Sequence, residues 1–267
     1  ADTLLPEPAP AMLVPVSTPL AAAPAAALPP SPPASPYSLP WAMRPIIPVT
    51  ALRLDTAIAF YDYASRPGFT NPMGLGSSGQ TAAIMPTALY KFTPNLAGLV
   101  RWGIIANSPP EVSGLSNAVS VTNILAGALY GIKLPAGLRL GLFFGMTLPI
   151  GTGGFGNVKA GTGDPNSTEA TNAGVYARSG MDNVLFAVND FSLVGGLGFA
   201  YVSHRLTAQL DLTILQLMRV KNEGTQADKF RTNSTWALHV GYFFTGWLSA
   251  AVELRYQRFL SDPVAVV

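Results

Sequence analysis

From Val49 to Leu260 the chain alternates apolar and polar side chains with a period of two. In VTALRLDTAIAFYDY, Leu52, Leu54, Ile58 and Phe60 fall on one face, and Arg53, Asp55, Ala57 and Ala59 on the other. Successive side chains of a strand point to opposite faces, so this run predicts a strand with one greasy and one polar side. Eight further runs read the same way: 82–92, 96–107, 120–132, 137–148, 190–203, 206–220, 232–244 and 247–260. In them Val100 and Ile104 oppose Arg101, and Leu138, Leu140 and Leu142 oppose Arg139. Leu210 and Leu212 oppose Gln209 and Asp211, Trp236 and Leu238 oppose His239, and Val252, Leu254 and Tyr256 oppose Glu253 and Arg255. Pro86 weakens the run 82–92 or places a bulge in it.

The long runs reach 11 to 15 residues. Strands of globular proteins run to about 5–6 residues, whereas roughly 9–11 tilted residues cross a hydrocarbon layer. Short connections (93–95, 133–136, 204–205, 245–246) alternate with long ones (62–81, 108–119, 149–189, 221–231). Aromatic residues such as Tyr61, Tyr63, Tyr90, Phe92, Tyr201, Trp247 and Phe259 stand near run ends. Together these features predict an all-β chain with a transmembrane antiparallel β-barrel over 49–267. Nine strands is an odd count, and bacterial single-chain barrels have even ones. Either a strand is missed or the chain continues beyond Val267.

Composition sharpens the division. Residues 1–48 hold 14 of the 24 prolines and no glycine. They read as an extended Pro/Ala-rich arm, since closely spaced proline excludes both helix interior and central strand. The arm is either a flexible tether or a segment laid along another surface through Leu4, Leu5, Leu13 and Val14. Only 11% of the chain is charged and 49% is apolar, yet no stretch of about 18 residues is free of proline or strongly polar breaks. Net charge is +2, too weak and dispersed for nucleic-acid binding. The chain has no cysteine, which removes disulfides and thiolate metal sites. Ala1-Asp2-Thr3 reads as a mature N-terminus left by signal-peptide cleavage.

Candidate chemistry is sparse, and no enzyme, cofactor or metal is expected. GTGGFGNVKAGTG (151–163) lacks the spacing of a phosphate loop and reads as a glycine-rich loop. Asp164, Asn166 and Glu169 have the oxygen donors of a calcium loop, but bound calcium is not expected. His204 follows Ser203, and Ser234 and Ser249 could approach His239, but no nucleophile, base and orienting group come together. The charged positions opposite greasy neighbours are stronger: Arg53, Asp55, Arg101, Arg139, Gln209, Asp211, His239, Glu253 and Arg255 are expected to line a water-facing lumen. Glycine and alanine on that face leave room, which favours an opening over packed ion pairs.

The stretches ALYKFTPNLAGLVRWGI, GLRLGLFFGMTLPIG and DFSLVGGLGFAYVSHRLTAQLDLTILQL resemble the porin-like outer-membrane barrels of Gram-negative bacteria, in particular those of myxobacteria. The likeness covers 49–260 as pattern, and the chain departs from it in ending at Val267 without a terminal aromatic residue. The resemblance implies a location in the outer membrane, with the arm in the periplasm, and passive diffusion of small solutes. The alternative is a structural barrel that anchors an envelope complex through residues 1–48. Membrane lipid, small solutes and envelope proteins are the expected partners.

Overall fold

The computed structural model describes residues 37–41, 43–65, 70–71, 73–154, 164–221 and 229–261. Residues 1–36 of the expected arm lie outside the described residues, as do 155–163 of the glycine-rich loop. The remainder forms one 11-stranded sheet. Its strands are β1 (Ala51–Asp62), β2 (Ser78–Lys91), β3 (Leu96–Arg101), β4 (Ile104–Ser108), β5 (Ala118–Val121) and β6 (Ile124–Lys133). They continue with β7 (Leu138–Leu148), β8 (Asp190–Ser203), β9 (Leu206–Arg219), β10 (Phe230–Phe243) and β11 (Ser249–Phe259). Two helices, α1 (Pro165–Ala177) and α2 (Asn183–Phe186), occupy the connection between β7 and β8.

Every strand pair is antiparallel and the path is a meander. β3 and β4 are halves of one run interrupted at Trp102-Gly103, and β5 and β6 are halves of the next, interrupted at Thr122-Asn123. The nine predicted runs are therefore all present. The interruption accounts for Pro86: β2 pairs with β3 from Thr87 onward and with β4 up to Ile84. The amide that proline lacks thus falls where the neighbouring ladder is already broken. The Pro86 carbonyl still accepts from Trp102 N at 3.3 Å.

The sheet curls through 227° and stays open, with 22 Å between its edges. Hydrogen-bonded strands lie about 4.8 Å apart, so β1 and β11 cannot bond to each other. The expected closed transmembrane β-barrel is therefore corrected to an open, curled sheet. A porin or channel needs a closed wall, and so does a barrel-shaped envelope anchor. Both expected functions lose their structural basis, together with the porin-like resemblance and the outer-membrane placement with its periplasmic arm. Among the described residues no helix is long and apolar enough to cross a membrane.

The inner face is not uniformly polar either. Ala83, Met85, Leu89, Leu99, Ile105, Leu125, Leu129 and Phe143 point into the trough and form the core with Leu185 and Phe186 from α2. β2, β4 and β6 are thus apolar on both faces, as strands covered on both sides are. The cover is α1 and α2, in the connection 149–189 expected as an outer loop. Helix α1 begins at an Asp-Pro step: Asp164 caps the first turn by accepting from Asn166 N and Ser167 N, and Pro165 takes the position whose amide needs no partner. The small residues Ala170, Ala173 and Gly174 are buried on α1, which lets it lie close against β4 and β5.

Tight turns hold the register at one end of the sheet. Between β6 and β7, Gly137 has φ +80°, and a Cβ there would stand 2.5 Å from the Val202 carbonyl oxygen. Gly137→Val is expected to lower stability by about 1–3 kcal/mol through backbone strain. A thermal melt checks this, and an unchanged midpoint would show that the turn relaxes freely.

Candidate functional site

The trough is filled by the chain's own N-terminal part. Residues 37–41 and 43–48, part of the expected Pro/Ala-rich arm, run along the inner face beside β7–β11. Tyr37 donates to Gln209 Oε1 at 2.6 Å, and its hydroxyl accepts from Ile46 N at 3.1 Å. Ser38 N donates to Thr207 Oγ1 at 3.0 Å. Ile46 is 1% exposed and rests on Gly141 and Gly198, where added Cβ atoms would lie 2.4 and 2.5 Å from its side chain. Pro48 rests on Gly131 in the same way. The inner-face glycines do leave room, as the sequence indicates, but the room is taken by Ile46 and Pro48 and opens no bore.

Charges inside the trough form three groups. In the first, Asp55 lies 3.0 Å from both Arg53 Nε and Arg101 Nη2. Arg101 continues to Asp182 at 3.2 Å, and Arg178 reaches Asp182 at 2.9 Å. Burial raises the Asp182 carboxyl, but the positive charges of Arg101, Arg178 and Arg255 outweigh it and hold the group below its ordinary value. Burial lowers the Arg53 and Arg255 guanidiniums, against the pull of Asp55 and Asp182 respectively.

The second group joins the inserted segment to the sheet. Arg44 Nη2 meets Asp211 Oδ2 at 2.7 Å and Thr213 Oγ1 at 3.0 Å, and its guanidinium lies 4.4 Å over the Phe143 ring. Gln209 Nε2 donates to the Arg44 carbonyl at 2.7 Å. Burial pushes the Tyr37 hydroxyl well above its usual value, so it stays a neutral donor. At the open edge His239 Nδ1 lies 2.8 Å from Glu253 Oε1, which also accepts from Trp41 N.

The third group sits at the opposite end from the short turns. Asp190 lies between Arg219 and Arg231. Arg219 Nε is 2.9 Å from Asp190 Oδ1, close enough for charge attraction but not aligned for a hydrogen bond.

Eight of the nine lumen residues predicted from sequence therefore belong to these groups within the trough: Arg53, Asp55, Arg101, Gln209, Asp211, His239, Glu253 and Arg255. They serve as ion pairs and hydrogen bonds in a packed interior, not as the lining of a pore. Arg139 shares the inward register of Gly141 and Phe143 but stands outside the three charge groups. It sits at the short-turn rim, and its Nη1 donates to the neighbouring Leu138 carbonyl at 3.1 Å. The sequence reading missed Arg44, Arg178, Asp182, Asp190, Arg219 and Arg231.

The weaker motifs separate. Asp164 caps α1, Asn166 Oδ1 accepts from Ser116 N, and Glu169 accepts from Tyr63, so these three oxygen donors do not converge. Ser203 Oγ lies 2.9 Å from His204 Nδ1 in an exposed turn. Ser234 Oγ contacts the Arg258 carbonyl and not His239.

The outer face offers a different surface. Leu52, Phe60 and Trp247 are 82%, 78% and 84% exposed, and Leu142, Phe144, Leu210, Trp236, Leu238, Val252 and Leu254 are exposed beside them. Asp62 and Arg258, both near strand ends, are the charged outward positions on the described strands. Tyr90, Phe92, Tyr130, Tyr201, Tyr242, Phe244 and Trp247 follow the short-turn rim, and Tyr90–Phe92 and Tyr242–Phe244 pack edge to face. No protein-family model, curated protein or solved structure matches the chain.

Proposed function

We propose that this chain is a non-catalytic lipid-contacting protein whose convex face lies against hydrocarbon. The observation that carries the reading is the outward face itself: large apolar side chains continue from β1 to β11, with charge only near strand ends. Exposed apolar patches on monomeric proteins seldom exceed a few hundred Å² without marking an interaction surface. The aromatic rim favours acyl chains over a protein partner. Tyr and Trp place an apolar ring in hydrocarbon and a polar tip at its wet boundary. The ion-paired trough supports the convex face from behind. Such contact requires neither a passage through the trough nor a closed wall.

Flotation of the purified chain with phosphatidylcholine vesicles tests this. The chain is expected to rise with the vesicles, and Leu142→Lys with Leu238→Lys to reduce the bound fraction about tenfold or more, because two buried leucines become charges. A chain that stays monodisperse without detergent and remains at the bottom of the gradient would overturn the reading.

A further inference from the structure

The third charge group borders a cavity that the lipid reading does not use. It encloses about 270 Å³ at the end of the trough away from the short turns. Phe186 and Val188 line it from the β7–β8 connection, and the inner face of the sheet supplies Leu217, Asp190, Arg219, Arg231 and Asn233. Asn233 is the unusual member. It is 0% exposed, and neither its Oδ1 nor its Nδ2 has a hydrogen-bond partner. Buried side-chain amides are nearly always satisfied, and one left open at a cavity wall suggests a guest that supplies the bonds. Arg219 is 6% exposed. It shares Asp190 with Arg231, and among the described residues its Nη atoms make no hydrogen bond.

The register sets the spacing between these two groups. Asn233 stands opposite Leu215, four residues before Arg219 on the adjoining strand. With about 3.4 Å per residue, their backbones are roughly 14 Å apart along the strands. The long arginine side chain can shorten that span to the length of a small molecule. One end of the cavity thus offers a cation and the other an amide that both donates and accepts, with Leu217 and the Asp190–Arg231 pair between them.

We propose that this cavity binds a compact organic acid bearing a neutral hydrogen-bonding group, its carboxylate on Arg219, its polar group on Asn233 and its body against Phe186, Val188 and Leu217. The guanidinium suits a carboxylate because its planar fork can donate two bonds at once. This site is independent of the convex face, so it can fail or succeed whether or not the chain binds vesicles.

The test is titration calorimetry of the full chain with 4-hydroxyphenylacetate as probe. Phenylacetate serves as the analogue without the polar group, and tyramine as the analogue with opposite charge. Saturable binding of 4-hydroxyphenylacetate is expected, about tenfold or more weaker for phenylacetate and undetectable for tyramine. Arg219→Gln should weaken binding at least tenfold, and Arg219→Lys should weaken it less, because Lys keeps the charge but loses the fork. Should Arg219→Gln fail to fold, Arg219→Lys and Asn233→Leu carry the test. Asn233→Leu should weaken 4-hydroxyphenylacetate to the level of phenylacetate and raise the melting midpoint of the unliganded chain, since it removes unsatisfied buried polar atoms. A merely structural Asn233 would give the opposite shift in midpoint. Absence of saturable binding, equal affinity for phenylacetate, or wild-type affinity in both Asn233→Leu and the Arg219 variants would overturn the proposal.

Discussion

Asp182→Ala is expected to cost about 3–5 kcal/mol, the loss incurred when one member of a buried ion network is removed and its partners stay behind. Asp182 is 5% exposed and lies within 3.2 Å of Arg101 and 2.9 Å of Arg178. Arg101 keeps Asp55, but Arg178 loses its paired carboxylate. Asp182→Asn retains the shape and one acceptor and should cost less. The pH dependence separates charge from shape. In the folded chain Asp182 is held below its ordinary value of 3.8, so the native state binds a proton less readily than the unfolded chain. Its contribution is then complete above about pH 4 and disappears as the pH falls through the lower, folded value. Asp182→Asn should therefore flatten the acid limb of a melting-midpoint profile. A variant with the same acid limb as wild type would show that Asp182 is not charged in the network.

Gly141→Val is expected to release the inserted segment at a cost of about 1–3 kcal/mol from overpacking. A Cβ at this position would lie 2.4 Å from Ile46 Cγ2 and 3.2 Å from the Ile46 Cα, so rotation of the Ile46 side chain alone cannot relieve the clash. The segment would lift, and Arg44–Asp211 and Tyr37–Gln209 would separate. Chymotrypsin should then cut at Tyr37 in the variant and spare it in the wild type. Ile46→Ala should restore part of the loss in the double variant, because the two sites touch and their effects are not additive. Equal cleavage of wild type and Gly141→Val would show that the segment is not held by this contact.

The strands were legible because alternation reports which side chains share a face. Even the Asp190–Arg219 pair could have been read: once the turn His204-Arg205 is fixed, the register of β8 and β9 places those residues opposite each other. Closure was not legible. Alternation has the same period in an open sheet and a closed one, and a curl of 227° leaves no mark on the order of residues. The filling of the trough was hidden for a different reason. Proline-rich composition indicates that residues 37–48 form neither helix nor strand, but not that they fold inward, and the glycines at 141 and 198 read equally as empty space or as a seat for Ile46. Asp182 and Arg178 fell in a connection whose helix has no clean apolar stripe, so nothing directed them toward the sheet.

The inserted segment also constrains the order in which the molecule assembles. The hairpins of the meander join neighbours in sequence, and each can close soon after its own turn forms. The contacts of residues 38–44 join partners far apart in the chain: 169 positions separate Ser38 from Thr207, 167 separate Arg44 from Asp211, and 212 separate Trp41 from Glu253. The first two need β9 in place and the third needs β11, and each must overcome the entropy of closing a long loop. A segment that precedes every strand in sequence is therefore the last to dock, and until it does Asp211 lacks Arg44 while Glu253 holds His239 but not the Trp41 amide. Folding rates should respond to changes in the β8–β9 hairpin, while changes at Arg44 or Ile46 should act mainly on the rate of unfolding.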